Sequence, residues 1–320
     1  MADKNIREAF FGIDVGGTAI KAGLFDDNGT LFAQENVPTP ELTSDEAFAV
    51  VCEALTKIAA DCSYEASEIR GIGLDVPAPI SDDGSLSFVA NAKIDLPDFV
   101  AALEAAFSNA CVVVLNDANA AALGEQWRGA GQGEQSMIMV TLGTGVGGGV
   151  VVGGKLIYGR NGAAGEIGHI CVNPSETAHC GCGGTGCLEQ YASASGVVSS
   201  YLAQCEKAGQ QAVALNGPSD SLSVFEAAAQ NDECAKQAIS QMCDYLARAL
   251  ADLACTIDPG SFVIGGGMAA GLDQFIDELI ERYQYHALLP CKNTRIVPAN
   301  LGNRAGIYGS AYQALVSVRQ

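Results

Sequence analysis

The chain has 320 residues, 48% of them hydrophobic and 17% charged, which exceeds the usual size of one hydrophobic core and predicts two ordinary globular domains, not a disordered polymer. Its formal charge of −20, from 17 Lys and Arg against 37 Asp and Glu, opposes the attraction on which nucleic-acid affinity rests, so nucleic acid is excluded as a partner. A nucleotide would have to be held by local devices instead: backbone N–H groups, a lysine and a divalent cation.

The polar stretch Met1 to Glu8 lacks the apolar core of a signal peptide, so a cytoplasmic location without a membrane partner is expected. In that compartment the 12 cysteines read more readily as metal ligands or core packing than as disulfides, with a disulfide or idle core cysteines the alternatives at the Cys180–Cys187 loop. Phe10 to Gly16 is an apolar strand, Gly16-Gly17 turns it, Ala19 to Phe25 is a second strand, and a third follows near Thr30 to Val37. Thr43 with Glu46 predicts a capping box for a helix to about Asp61. Strand Ile69 to Val76, helix Asp98 to Phe107 and strand Cys111 to Leu115 complete an α/β unit that ends at Asn116-Asp117, before an alanine-rich helix, Ala118 to Trp127.

The pattern then recurs. Ser136 to Leu142 is a strand, the glycine-rich run Gly143 to Gly149 turns it, and Val150 to Tyr158 continues the hairpin. Ile239, Met242, Leu246, Leu250, Leu253 and Ile257 form the buried stripe of a long helix that stops at Asp258-Pro259-Gly260. Phe262 to Ile264 is a buried strand ending in a third glycine turn, Gly265 to Gly267, followed by a helix near Leu272 to Tyr285. The last helix, Gly306 to Val318, is expected to cross back onto the N-terminal half. Two glycine-turn hairpins, each opening an α/β half, predict an internally duplicated protein with a cleft between its halves.

Several constellations carry chemistry. Asp14, Gly16, Gly17 and Thr18 with Lys21 place a carboxylate, bare backbone and a hydroxyl around one turn, which suits phosphate and Mg²⁺, although a hairpin needing Gly for its twist would read the same way. Recurrence at Thr144-Gly145 and Gly265-Gly266 favours a nucleotide site. Asp117 is open to two readings, a helix N-cap or a base that accepts a hydroxyl proton while Asn116 positions a neighbouring hydroxyl. His169 with Cys180, Cys182 and Cys187 matches a closed, structural Cys₃His zinc site, with Cys171 and His179 near enough to be rival ligands. Zinc on one ring nitrogen of His169 would leave the other for a sugar hydroxyl. Glu166 and Glu189 flank this loop, as acceptors for sugar hydroxyls or as plain surface carboxylates.

These segments together resemble the ROK family (repressors, open reading frames and kinases), and most closely its bacterial glucokinases. The resemblance runs from Ile13-Asp14-Val15-Gly16-Gly17-Thr18 through Asn116-Asp117-Ala118-Asn119 to Ile264-Gly265-Gly266-Gly267, and the Gly168-His169 and Cys180-Gly181-Cys182-Gly183 to Cys187-Leu188-Glu189 elements are its most specific part. It implies a two-domain α/β fold of the actin-like ATPase (ribonuclease H-like) type. The small domain would hold residues 1–115 plus 304–320, and the large one 116–303 with the zinc loop.

It also implies Asp117 as general base; Asn91, Asn116, Glu166, His169 and Glu189 as sugar ligands; and His169, Cys180, Cys182 and Cys187 as the zinc set. ATP with Mg²⁺ and a hexose, most simply glucose, are then the substrates, and a homodimer the assembly. An N-acetylhexosamine or fructose kinase and a non-catalytic sugar sensor are the alternatives, and polyphosphate is an alternative donor. A repressor of the family would carry a helix-turn-helix ahead of the first hairpin, where only the residues before Phe10 stand. The chain departs from the family pattern at Val76-Pro77-Ala78, where Val-Pro-Gly is usual, and around Asn91.

Overall fold

The computed structural model describes residues 8–17, 19–78, 80 and 94–319, so Thr18 and Asn91, expected at the nucleotide turn and the sugar pocket, lie outside the described residues. The chain folds as two compact units. One takes in the chain up to Gly133, residues 156–164 and the segment from Asn303; the other takes in 134–155 and 165–302.

The first unit opens with an antiparallel meander, β1 (Ala9–Val15), β2 (Ala19–Phe25) and β3 (Leu31–Pro38), followed by α1 (Asp45–Asp61), β4 (Ile69–Val76), α2 (Leu96–Ala106), β5 (Cys111–Asn116) and α3 (Asp117–Arg128). The sheet order is β3-β2-β1-β4-β5, with β1, β4 and β5 parallel. Alternating residues Phe11 and Ile13 of β1 meet Val51, Leu55 and Ile58 of α1 and Phe99 and Leu103 of α2 in one apolar layer. The α1 cap is Ser44, whose Oγ accepts from Ala47 N–H at 3.4 Å, and not Thr43 as expected. Ser44 holds the extended backbone just before the first helical residue, which puts Ala47 at N3 and Glu46 one position short of a capping box.

In the second unit, β6 (Met137–Leu142), β7 (Val146–Val152) and β8 (Lys155–Leu156) are followed by α4 (Glu189–Ala192), α5 (Ala194–Ala208), α6 (Ser221–Ala229), α7 (Glu233–Ile257), β9 (Ser261–Gly265), α8 (Ile276–His286) and β10 (Arg295–Pro298). The order β10-β9-β6-β7-β8 repeats the plan of the first sheet, with an antiparallel hairpin on one side of β6 and parallel strands on the other. The expected duplication is therefore present in the strand order itself.

Two expectations shift here. Gly147, Gly148 and Gly149 lie inside β7, opposite Thr141, Val140 and Met139, so the turn is only 143–145. A Cβ on Gly148 would meet Gly165 O and the Ile167 side chain at 2.8 Å, which is why this position of the strand is glycine. The helix expected from Leu272 starts at Ile276, because Gly267–Gln274, with glycine at 267 and 271, winds as a 3₁₀ segment first. In α7 the predicted stripe is buried at Ile239, Met242, Leu246 and Leu250, and the helix ends on the left-handed Asp258.

The chain returns to the first unit as α9 (Ala305–Val318), which packs on β1 and β4 as expected for the last helix. It also crosses α3 at close range. A Cβ on Gly309 would fall on the Ala120 carbonyl, and one on Gly124 on the Ala305 carbonyl, so the two glycines let the helix backbones touch. Trp127 of α3 closes the crossing against Tyr308 and Tyr312, with ring centroids 6.3 and 5.2 Å away. The expected boundary at 115/116 separates α3 from this unit, whereas its packing on α9 holds it there. Among the described residues no helix is long and apolar enough to cross a membrane.

Candidate active site and metal centre

In the first unit the parallel strands β1, β4 and β5 deliver three carboxylates near their C-terminal ends. Asp14 on β1 faces Lys21 on β2 in register, and the ammonium reaches its Oδ2 at 2.6 Å. The turn between these strands is tight: Gly16 N–H donates to Ala19 O at 3.1 Å, and Thr39 Oγ1 donates to Gly16 O at 2.8 Å. Gly16 therefore spends its amide inside the hairpin, while the space around Gly17 is open.

Beside Asp14, in parallel register, lies Asp75 of β4. It is 1% exposed, and its Oδ2 accepts from Ser310 Oγ of α9 at 2.8 Å. Burial, and then the charge of Asp14, push its carboxyl well above the usual carboxylate range; Asp117 adds to this, whereas Ser310 and Lys21 oppose it. Burial and the neighbouring Asp14 thus favour the protonated form of the Asp75 carboxyl. Asp75 was not singled out from the sequence, yet a signal exists: Gly12-Ile13-Asp14-Val15 and Gly73-Leu74-Asp75-Val76 share one pattern, and the register pairs Gly12, Ile13 and Asp14 with Gly73, Leu74 and Asp75.

The strand β5 runs into α3 without a loop. Asn116 is the N-cap, its Oδ1 accepting from Ala118 N–H (3.0 Å) and Asn119 N–H (3.2 Å), and its Nδ2 donates to Ala78 O at 3.3 Å. The cap reading of Asp117 is thus overturned: Asp117 is the first helical residue, with Oδ1 accepting from Ala118 N–H at 2.8 Å. A carboxylate at a helix N-terminus is stabilised by the helix dipole and held in place by the backbone.

In the second unit the glycine turns converge. Gly266, in left-handed backbone at φ +91°, packs against the backbone of Leu142, which places Gly265-Gly266 next to the 143–145 turn. Thr144 is exposed at the tip. Glu189, the first residue of α4, reaches this turn: its Oε2 accepts from Val146 N–H at 3.0 Å, and a Cβ on Gly145 would sit 2.5 Å from the same oxygen. A predicted sugar ligand and a predicted nucleotide turn are thus one hydrogen-bonded object.

His169, Cys180, Cys182 and Cys187 each offer one donor atom, all within 4.8 Å of one another. Cys182 Sγ and Cys187 Sγ are 3.6 Å apart, and Cys180 Sγ is 3.9 Å from His169 Nδ1. The rival Cys171 and His179 fall outside the cluster. Burial and the neighbouring thiols push Cys187 up to about 12, whereas a hydrogen bond from the Gly184 backbone holds Cys182 below the usual thiol range. Three such thiols and an imidazole suit a soft divalent cation, which lets crowded thiolates ionise together. The other ring nitrogen, His169 Nε2, lies 4.0 Å from Glu166 Oε2. Behind the loop, Tyr191 donates to Glu176 at 2.6 Å and accepts from Asn173 Nδ2 at 2.8 Å, a brace that sequence reasoning missed because its members are not motif residues.

Residues 10–316 match the family model described as ROK. The chain belongs to the ROK family. A glucokinase of Halalkalibacterium halodurans is 36% identical over 311 residues, covering 95% of this chain and 94% of that protein. A ROK hexokinase from Thermus thermophilus matches with a TM-score of 0.82 at 32% identity, over 97% of this chain and 99% of its own. A ROK family glucokinase from Streptomyces griseus, solved in complex with glucose and AMPPNP, matches with a TM-score of 0.73 at 31% identity, over 95% and 98%. The fold class is thus the expected α/β, actin-like ATPase fold of the ROK sugar kinases.

Proposed function

We propose that this ROK protein is an ATP-dependent hexose kinase that converts glucose to glucose 6-phosphate, with Asp117 as general base. The observation that carries the sugar reading is His169: its Nδ1 faces the thiol cluster, while its Nε2 and the Glu166 carboxylate stand 4.0 Å apart. A donor and an acceptor at that spacing can both engage one hydroxyl that enters between them. The similarity to glucokinases, one of them solved with glucose and AMPPNP, supports the same substrates.

In this reading Glu166, Glu189, Asn116, Asn91 and His169 bind the sugar hydroxyls. Asp117, fixed by its place at the start of α3, accepts the proton of the attacking hydroxyl as it approaches the γ-phosphorus in line. Backbone amides of Gly17 and of the Thr144-Gly145 and Gly265-Gly266 turns, with the Thr18 and Thr144 hydroxyls, hold the phosphate oxygens, while Gly16, its amide tied to Ala19 O, shapes the first turn and Lys21 is the nearby cation. Asp14 would hold the Mg²⁺ that accompanies ATP, which neutralises charge on the phosphates. Zinc would be held by His169, Cys180, Cys182 and Cys187; with all four donors from protein it would fix the loop and the His169 ring, not act on substrate. A homodimer and a cytoplasmic location belong to the same reading, and sedimentation tests the former.

A coupled ADP-release assay with Mg-ATP across glucose, mannose, fructose, N-acetylglucosamine and N-acetylmannosamine tests it. Glucose-dependent ADP release is expected, reduced at least about 100-fold in Asp117→Asn with sugar affinity nearly intact. No turnover with any hexose, or lost sugar affinity at an unchanged rate in the variant, would refute the assignment.

A further inference from the structure

Beside the metal cluster stands a thiol that the cluster does not use. Cys171 is exposed and lies outside the four donors, while Cys187 is buried at 3% exposure. The two residues face one another in an antiparallel bridge. Val172 N–H donates to Gly186 O at 2.8 Å and Leu188 N–H to Ile170 O at 2.9 Å, and these bonds flank the 171/187 pair. Cys171 and Cys187 are therefore a non-hydrogen-bonded pair, the type in which Cα atoms approach to about 4.5 Å with both side chains on one face. That approach lies within the roughly 4.4–6.8 Å spanned by disulfides. Cys171 Sγ also lies 3.2 Å from where a Cβ on Gly186 would be, so the missing side chain at 186 leaves the sulfur free to turn beside the residue that precedes Cys187.

We propose that Cys171 and Cys187 form a peroxide-responsive dithiol, whose oxidation to a disulfide removes Cys187 from the metal donor set and releases the ion. The exposed Cys171 thiolate attacks one oxygen of hydrogen peroxide or an alkyl hydroperoxide; the O–O bond breaks, and hydroxide or alkoxide leaves. The sulfenic acid at Cys171 is then attacked by the Cys187 thiolate, an S–S bond forms, and hydroxide leaves from Cys171. Two electrons pass from the two sulfurs to the peroxide, and the departing oxyanions take protons from water. With Cys187 gone, three donors remain and His169 loses its fixed orientation, so sugar binding falls. The loss of metal and of sugar binding rests on the zinc and kinase reading above; the disulfide itself does not.

The full-length protein, loaded with zinc, is treated with hydrogen peroxide while a chromophoric chelator reports released zinc and peptide mass mapping reports the linkage. Release accompanied by a Cys171–Cys187 link is expected, with release at least about tenfold slower in Cys171→Ser and Cys171→Ala, and hexose phosphorylation restored by thiol reductant plus zinc. Equal release in wild type and variants, or a link between Cys182 and Cys187, overturns the proposal. Should untreated protein bind no zinc and yet form the Cys171–Cys187 link, the dithiol stands and the metal reading fails. Bound zinc with no link at 171 has the opposite meaning.

Discussion

Replacing Gly145 with alanine tests how the second unit aims its carboxylate. The new Cβ would lie 2.5 Å from Glu189 Oε2, where an ordinary contact begins at 3.4 Å, so the carboxylate must retreat by about 0.9 Å. The backbone φ of Gly145 is not in the left-handed region, so alanine itself fits the turn. Such a retreat breaks the 3.0 Å bond from Val146 N–H. A hydrogen bond to a charged acceptor contributes about 1.5–3 kcal/mol, so a function that needs Glu189 in place should fall roughly tenfold to a hundredfold in kcat/KM for the hexose. The displaced group is the free end of a side chain, and the Tm should drop by less than about 4 °C.

Steady-state kinetics with thermal melts on wild type, Gly145→Ala, Glu189→Ala and the double variant separate the effects. The two substitutions act on one hydrogen-bonded pair, so adding Gly145→Ala to Glu189→Ala should cost almost nothing further. Additive losses, or a Gly145→Ala enzyme within twofold of wild type, would refute the idea that the turn positions Glu189.

Dialysis of the protein against a strong chelator should lower its Tm and raise the KM for hexose, and Zn²⁺ but not Mg²⁺ should reverse both; unchanged melts with metal content near zero would count against a structural ion. Asp75→Asn should relieve a pH-dependent burden. The Asp75 carboxyl keeps its proton in the folded chain and loses it near the ordinary carboxylate value in the unfolded chain, so its contribution to stability is full below about pH 4 and is lost as pH rises through its raised folded value. The Tm of the variant should therefore gain on wild type as pH rises above the ordinary carboxylate value, followed by calorimetry, and parallel curves would show that Asp75 titrates alike in both states. Gly309→Ala puts a methyl on the Ala120 carbonyl and should destabilise by about 1–3 kcal/mol, seen as a Tm lower by roughly 2–10 °C; an unchanged Tm would mean that α3 and α9 part easily.

Much of the architecture follows from local rules. Strands with glycine turns, the stripe of α7 and the spacing of Cys180, Cys182 and Cys187 are written within a few residues of chain, because periodicity, left-handed backbone and chelate reach act over that range. What changed on folding lay a residue or two away: Ser44 in place of Thr43, and Asn116 in place of Asp117 as cap. Neighbouring polar residues compete for the same orphan amides, and only the backbone entry angle chooses between them. Gly147 to Gly149 pair with β6 as strand, and Gly148 must be glycine for a non-local reason, the approach of Gly165 and Ile167.

The sequence alone therefore determined which chemical groups the chain owns and the short-range geometry that presents them. The tertiary structure alone decided that Glu189 is tied to Val146 across 43 residues, that Asp75 is buried against Ser310 across 235, and that Cys171 faces Cys187. No local pattern encodes such contacts, because they arise where separately formed elements pack; burial and long-range register then set whether a carboxyl is charged, anchored or idle.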